Sequence, residues 1–299
     1  MTRPTPTPTM NKAVRPERSD AAPAAERSRG TDRIAGTFAR CRAAGEAALV
    51  TYVMAGDPDV ATSKAMALAC AEGGADLLEL GIPFSDPIAD GPTIQHAAER
   101  ALAHGTSTDD VLAVAASVRA RSDVPIALMG YLNPILAHGV ERFAEDAARA
   151  GVDAVIIPDL LPEEADVLAP LAARGIRRVF LLAPTSDDAR VEAAARAATG
   201  FLYFVSVTGV TGSRKPVAEQ IGPKVAAIRA RSPVPVVIGF GVSSPSDARA
   251  LAPLADGVVV GSAIVKRIAE GGARKARAER IRRFVRSLKV ALRGERRVR

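Results

Sequence analysis

The sequence predicts a closed (β/α)8 barrel of the TIM-barrel class, folded as a single α/β domain. Three observations predict it. Eight short apolar or β-branched runs recur along the chain, each followed by a loop and an Ala-rich stretch of helical composition. The runs are continuously apolar instead of alternating, which suits parallel strands covered on both faces. The 299 residues are enough for one such barrel, which commonly fills ~250. An open doubly wound sheet is the structural alternative. It calls for a GxGxxG turn after the first strand, where this chain has Met54-Ala55-Gly56-Asp57-Pro58-Asp59.

The elements follow in order. Residues 1–30 are rich in Pro, Thr, Ala and Arg and lack periodicity, so they are expected to be a disordered extension, with Met10 an alternative start to Met1. The barrel is expected over 31–293, with 294–299 as a short basic tail. The strands are expected at 48–54, 76–80, 125–131, 154–158, 178–182, 201–207, 236–239 and 257–260. Helices are expected at 60–72, 108–121, 140–150, 162–174, 187–198, 217–230 and 244–251. In the last segment Ile281, Phe284, Val285, Leu288 and Leu292 form one apolar stripe at helical spacing, as a barrel-closing helix requires.

Hydrophobic residues make up 48% of the chain and charged residues 24%, ordinary values for a globular protein with a large core. Aromatics are only 4% and Trp is absent, so the core must be Ala, Val, Leu and Ile. The net charge of +7 is a property of the C-terminus. Residues 271–299 carry 12 Lys/Arg against 2 Glu, which leaves the rest at −3. Such a tail can touch nucleic acid or an acidic partner, but a solvated helix face explains it more simply. Cys41 and Cys70 form no disulfide framework, and His96, His104 and His138 show no HExxH pairing. The expectation is a reduced, cytoplasmic, metal-free protein. Neither a signal-peptide core nor a ~20-residue membrane span is present in the sequence.

In such barrels the chemistry sits where strands end and loops begin. Residues 79–95 read ELGIPFSDPIADGPTIQ. Glu79 ends an apolar strand, where desolvation makes a carboxylate costly, and Asp90 follows in a loop of small turn residues. Two acids on one rim suit general acid/base work, although Asp90 can equally serve an Asx turn and Glu79 a salt bridge. Asp86 reads as a turn or cap residue, and Asp159 as either a mouth residue or a cap for the next helix. Gly239-Phe240-Gly241 and Gly261-Ser262 follow the last two strands, and each opens a helix. Backbone N–H groups and helix N-termini at that pair of positions form a phosphate site. The loop Thr208-Gly209-Val210-Thr211-Gly212-Ser213-Arg214-Lys215 reads as a lid, with Thr211 able to bond an acid on closure.

ELGIPFSDPIADGPTIQ resembles the signature of the tryptophan synthase α-chain family. The resemblance continues through AGDP, GYLNP, Pro158-Asp159, YFVSVTGVTG, GFGVSS and VVVGSAIVK, in order, over roughly residues 34 to 290. It implies a retro-aldol lyase that cleaves indole-3-glycerol phosphate to indole and glyceraldehyde 3-phosphate in tryptophan biosynthesis. It implies Glu79 as the catalytic acid/base and Asp90 as the partner of the indole N–H. Tyr203 would line the pocket, Thr211 would pair with Asp90, and Gly212, Phe240, Gly241, Gly261 and Ser262 would bind phosphate. Tyr52 stands in the indole pocket where several relatives carry Phe. No cofactor is expected in this chain. The resemblance implies a β-chain partner holding pyridoxal phosphate in an α2β2 heterotetramer, met through residues 83–86 and the Asn133-Pro134 loop. A stand-alone lyase or sugar-phosphate isomerase on the same barrel is the competing reading, and a nucleic-acid-binding module the remote one.

Overall fold

A computed structural model describes residues 32–205, 217–239 and 241–293. The chain enters through α1 (Arg33–Ala43), capped by Asp32, and passes into β1 (Ala48–Met54). Then follow α2 (Val60–Gly73), β2 (Leu77–Gly81), α3 (Pro92–Ala103), α4 (Thr108–Arg119) and β3 (Ile126–Met129). The next elements are α5 (Leu132–His138), α6 (Val140–Ala150), β4 (Ala154–Ile156), a 3-10 stretch (Pro162–Leu168), α7 (Ala169–Ala172) and β5 (Arg177–Leu182). The chain continues through α8 (Asp188–Ala197), β6 (Leu202–Val205), α9 (Val217–Arg231), β7 (Val236–Gly239), α10 (Pro245–Leu251), β8 (Gly257–Val260), α11 (Ser262–Ala269) and α12 (Arg274–Leu292). The eight strands are parallel, pair in sequence order and close β8 onto β1.

All eight expected strands are present; two are shorter than their apolar runs, and the sixth, expected over 201–207, is strand over Leu202–Val205, with 206–207 outside the described residues. β3 ends at Met129 because Gly130 and Tyr131 already turn out over the rim, and β4 ends at Ile156. The expected helix over 162–174 is a 3-10 stretch followed by one short turn of α-helix. Pro170 explains the break, since it has no N–H to give to Asp166. α1 and α5 were not expected.

Strand side chains separate into two layers. Outward residues such as Leu49, Leu78, Leu80, Leu128 and Ile238 pack under the helices in the main core. Inward residues, among them Val50, Leu77, Ala127, Ile156, Val179, Phe201 and Tyr203, fill the barrel. α1 plugs the N-terminal end: Ile34 and Phe38 join the inner layer, and the Phe38 ring lies 5.9 Å from Phe201. The interior is thus packed from below up to the level of Tyr203, and the C-terminal end is left for polar groups.

Aspartates latch the N-terminal rim. Asp76 accepts from Leu49 N–H at 2.7 Å, Asp153 from Ile126 N–H at 2.8 Å and Asp256 from Val236 N–H at 2.9 Å. α12 closes the barrel with Ile281, Val285 and Leu288 buried, as its stripe predicts. Its Lys289 Nζ lies 2.8 Å from both Glu46 and Asp76. Other cations of the basic segment are also engaged: Arg280 pairs with Glu270, Arg282 with Glu72 and Glu279, and Arg267 lies 3.6 Å over the Phe284 ring. No helix among the described residues is long and apolar enough to cross a membrane.

α2 and α12 pack closely at Gly73. A Cβ there would lie 2.7 Å from Val285 Cβ and 2.9 Å from the Arg282 carbonyl oxygen. Gly73→Ala is expected to force the helices apart and lower stability by about 1–3 kcal/mol in urea unfolding.

Candidate active site

Glu79 occupies the centre of β2 on its inward face, between Leu77 below and Gly81 above. It is fully buried, and neither carboxyl oxygen has a hydrogen-bond partner among the described residues. Burial pushes its pKa from 4.5 up to about 8, so the group is protonated at neutral pH. A strand holds this position well, because the pleat fixes which face the side chain takes. The salt-bridge alternative open in the sequence has no counterpart among the described residues.

Asp90 ends the loop that leaves β2, two residues before α3. Its N–H donates to the Pro87 carbonyl at 3.0 Å, which closes the turn. Its carboxylate lies near the Tyr131 hydroxyl, which lowers its pKa and accepts from Ala89 N–H at 2.9 Å. Gln95 Nε2 donates to the Asp90 carbonyl at 2.9 Å. Burial raises the Asp90 pKa from 3.8 to about 6, against the lowering effect of the Tyr131 bond. Tyr131, the last residue of the run expected for the third strand, was given no task from the sequence. Its signal was faint, a buried tyrosine just past a strand end.

Two more phenols complete the mouth. Tyr52 is the register partner of Glu79 on β1, and its hydroxyl donates to the Met54 sulfur at 3.8 Å. Tyr203 rises from β6 above Phe201, with ring centroids 6.5 Å apart. Both need glycine neighbours: a Cβ on Gly81 would lie 2.1 Å from the Tyr52 hydroxyl, and one on Gly239 would lie 2.3 Å from the Tyr203 ring. Burial raises both phenol pKa values, and the nearby Glu79 and Asp90 add to the effect. Glu79 and Asp90 therefore each lie within electrostatic reach of Tyr52 and Tyr203.

The two glycine turns expected to bind phosphate are not equivalent. Before α10 the side chain of Asp247 already accepts from Ser243 and Ser244 N–H, both at 3.0 Å. Before α11 no side chain caps the helix, and Gly261 and Ser262 begin it with their first-turn donors uncapped. Gly241 precedes the self-capped serines. Thr211, Gly212 and Phe240 lie outside the described residues, as does the lid loop. Asp159 caps a helix, but not the next one: it accepts from Leu132 N–H at 3.0 Å, at the start of α5. Asp86 is exposed in its turn, accepting from Ser85 Oγ at 2.6 Å. His96 and His104 are exposed on and just beyond α3. Asp109, His138 and Asp146 form the one metal-type group among the described residues. Asp146 is already paired with His138, Arg142 and Arg149, so its charge is met without an ion.

A closed barrel with a dry carboxyl at its C-terminal mouth, a second acid on the loop after the same strand and an uncapped helix start next to Tyr52 is the kind of site that suits acid/base chemistry on an anionic substrate in a barrel enzyme. Comparison with known proteins narrows the class. Residues 38–293 match the family described as Tryptophan synthase alpha chain, and the chain belongs to that family. The tryptophan synthase alpha chain of Geobacter sulfurreducens is 57% identical over 235 residues, 78% of this chain and 89% of that one. That of Geotalea uraniireducens is 50% identical over 263 residues, 88% of this chain and 98% of its own. Among solved structures, tryptophan synthase from Mycobacterium tuberculosis superposes with a TM-score of 0.79 at 40% identity, covering 88% of this chain and 99% of that one.

The raised Glu79 pKa has a consequence for stability. The fold favours the protonated form, so Glu79 carries no ionisation penalty at low pH and destabilises progressively as pH rises from about 4.5 to about 8. Relative to Glu79→Gln, the parent protein should match in stability near the low end of that window and fall behind at the high end. Chemical denaturation at several pH values checks this.

Proposed function

We propose that Glu79 and Asp90 divide the proton work of a carbon–carbon lyase, the α-subunit reaction in which indole-3-glycerol phosphate gives indole and glyceraldehyde 3-phosphate. One observation carries the reading: the environments of the two acids push their pKa values apart, to about 6 for Asp90 and about 8 for Glu79. Between those values Glu79 is an acid and Asp90 an anion, the division that two-carboxyl catalysis needs.

The chemistry follows. Indole leaves poorly as a carbanion, so C3 is protonated first, by Glu79. The ring becomes an indolenine with positive charge on its N–H, which ionised Asp90 stabilises. Glu79, now a carboxylate, takes the proton of the hydroxyl on the adjacent carbon. The C–C bond breaks, its electron pair restores the indole C2–C3 double bond and the charge on nitrogen is discharged. The aldehyde leaves as glyceraldehyde 3-phosphate, and Glu79 ends protonated as it began. Tyr52 and Tyr203 wall the ring. The open N-terminus of α11 at Gly261 and Ser262, with Gly241, receives the phosphate through backbone N–H groups and the helix dipole. Thr211, Gly212 and Phe240 complete the site by resemblance. No step calls on a cofactor of this chain.

The same reading supplies a β-chain partner that uses pyridoxal phosphate, in an α2β2 assembly in the cytoplasm. Support comes from the rim. Ile88 is 85% exposed, Leu136 47% and Leu161 46%, on the segments after β2, β3 and β4. A groove lined by Phe84, Asp86, Ile88 and Leu102 runs beside the acid loop. Large apolar side chains left in water on one sector of a rim mark a protein contact.

The pH profile of kcat/KM for indole formation should be bell-shaped, falling below about 6 as Asp90 protonates and above about 8 as Glu79 ionises. Glu79→Gln should cost on the order of 10³-fold or more in kcat while the substrate still binds; retained turnover would remove Glu79 from its role. Adding a β chain separates the subunit from a stand-alone lyase, since only the subunit is strongly activated.

A further inference from the structure

Asp57 is a third carboxylate near the mouth, and the lyase chemistry has no task for it. It follows β1 and is 1% exposed. Arg100 holds it with a forked pair of bonds, Nε to Oδ1 at 2.7 Å and Nη2 to Oδ2 at 2.9 Å. Arg100 lies in the last turn of α3. The packed face of that helix is Ala97, Ala98 and Ala101, set against Tyr52, Met54 and Val265. Methyl groups allow close approach but offer few knobs to fix rotation or sliding. A bidentate guanidinium–carboxylate pair does fix orientation. Thr106, just beyond α3, packs on the same turn: a Cβ on Gly56 would lie 2.1 Å from its Oγ1. Near its other end α3 carries Gln95, whose amide holds the Asp90 carbonyl at 2.9 Å. The β1 turn, α3 and the Asp90 loop are therefore joined by directed bonds at both ends of one helix.

We propose that Arg100 is a positioning residue for Asp90: its fork on Asp57 sets where α3 lies, and α3 through Gln95 sets where the Asp90 carboxylate stands against the indole nitrogen. This rests on the lyase reading above. Asp90 is faced by Tyr131 from the β3 rim and lies within reach of Tyr52 on β1 and Tyr203 on β6, with Glu79 on β2 the other acid of the mouth. These groups keep it dry only while α3 holds the loop inward. A slipped helix admits water, and the Asp90 pKa then falls from about 6 toward its ordinary 3.8.

The test uses Arg100→Lys, which keeps the charge but loses the fork, and the double variant Asp57→Asn/Arg100→Met, which leaves no unpaired buried charge. Indole formation is measured for kcat, KM and the pH profile of kcat/KM, with thermal unfolding in parallel. In the folded double variant kcat should fall about tenfold or more, KM should change less than kcat, and the acid limb should move to lower pH. Arg100→Lys should show a smaller shift in the same direction. A folded variant whose kcat and acid limb match the parent overturns the proposal. So does lost activity with an unmoved acid limb, the pattern of simple loss of folded protein. If the double variant does not fold, Arg100→Lys decides by the same criteria. A parent chain that makes no indole, alone or with a β chain, sinks the lyase reading instead, a result visible before any variant is compared.

Discussion

Glu79 is a carboxyl group sealed in a barrel with no hydrogen-bond partner among the described residues. Desolvating a carboxyl is expensive for its ionised form, so the protein keeps the proton on it. The surroundings then have to fulfil two conditions. The interior below must be dry and full, which α1 achieves by pushing Phe38 up against Phe201. The walls above must admit aromatic groups without solvating the acid, which Tyr52 and Tyr203 achieve by lying over glycines. The plug, the inner layer and the glycine positions all follow from keeping one oxygen pair out of water.

The second acid is handled differently. Asp90 stands on a loop, where water would ordinarily lower its pKa to that of any surface aspartate. It is kept partly dry by what holds the loop down: a tyrosine from the neighbouring strand end and a glutamine from the following helix. One acid is tuned by rigid burial in a strand and the other by tethering. The contrast explains why two carboxyl groups eleven residues apart in sequence titrate differently.

The strands were legible because parallel buried strands read as unbroken apolar runs. Glu79 was legible because it interrupts one of them. α12 was legible from its stripe, and the turns that open α10 and α11 from their glycines. Contacts between residues distant in sequence were not legible. Asp57 and Arg100 are 43 residues apart, and neither stands in a pattern that names the other. Tyr131 and Ala89 meet across 42 residues. α1 went unseen because it belongs to no strand–helix unit. The difference between the turns before α10 and α11 depends on Asp247 folding back onto the serines, a local choice that glycine spacing does not encode. The 162–174 segment was misread because composition outweighed Pro170.

Lys289 joins two carboxylates that stand at the entrances to β1 and β2, 213 residues before it in the case of Asp76. During synthesis, Glu46 and Asp76 emerge from the ribosome long before the cation that neutralises them. Until it arrives, two acids face each other at the barrel floor, and α2 has no α12 to cover it. The entrances to the first two strands are thus sealed from the chain's far end, and a nascent chain stays open there until nearly all of the barrel has been made.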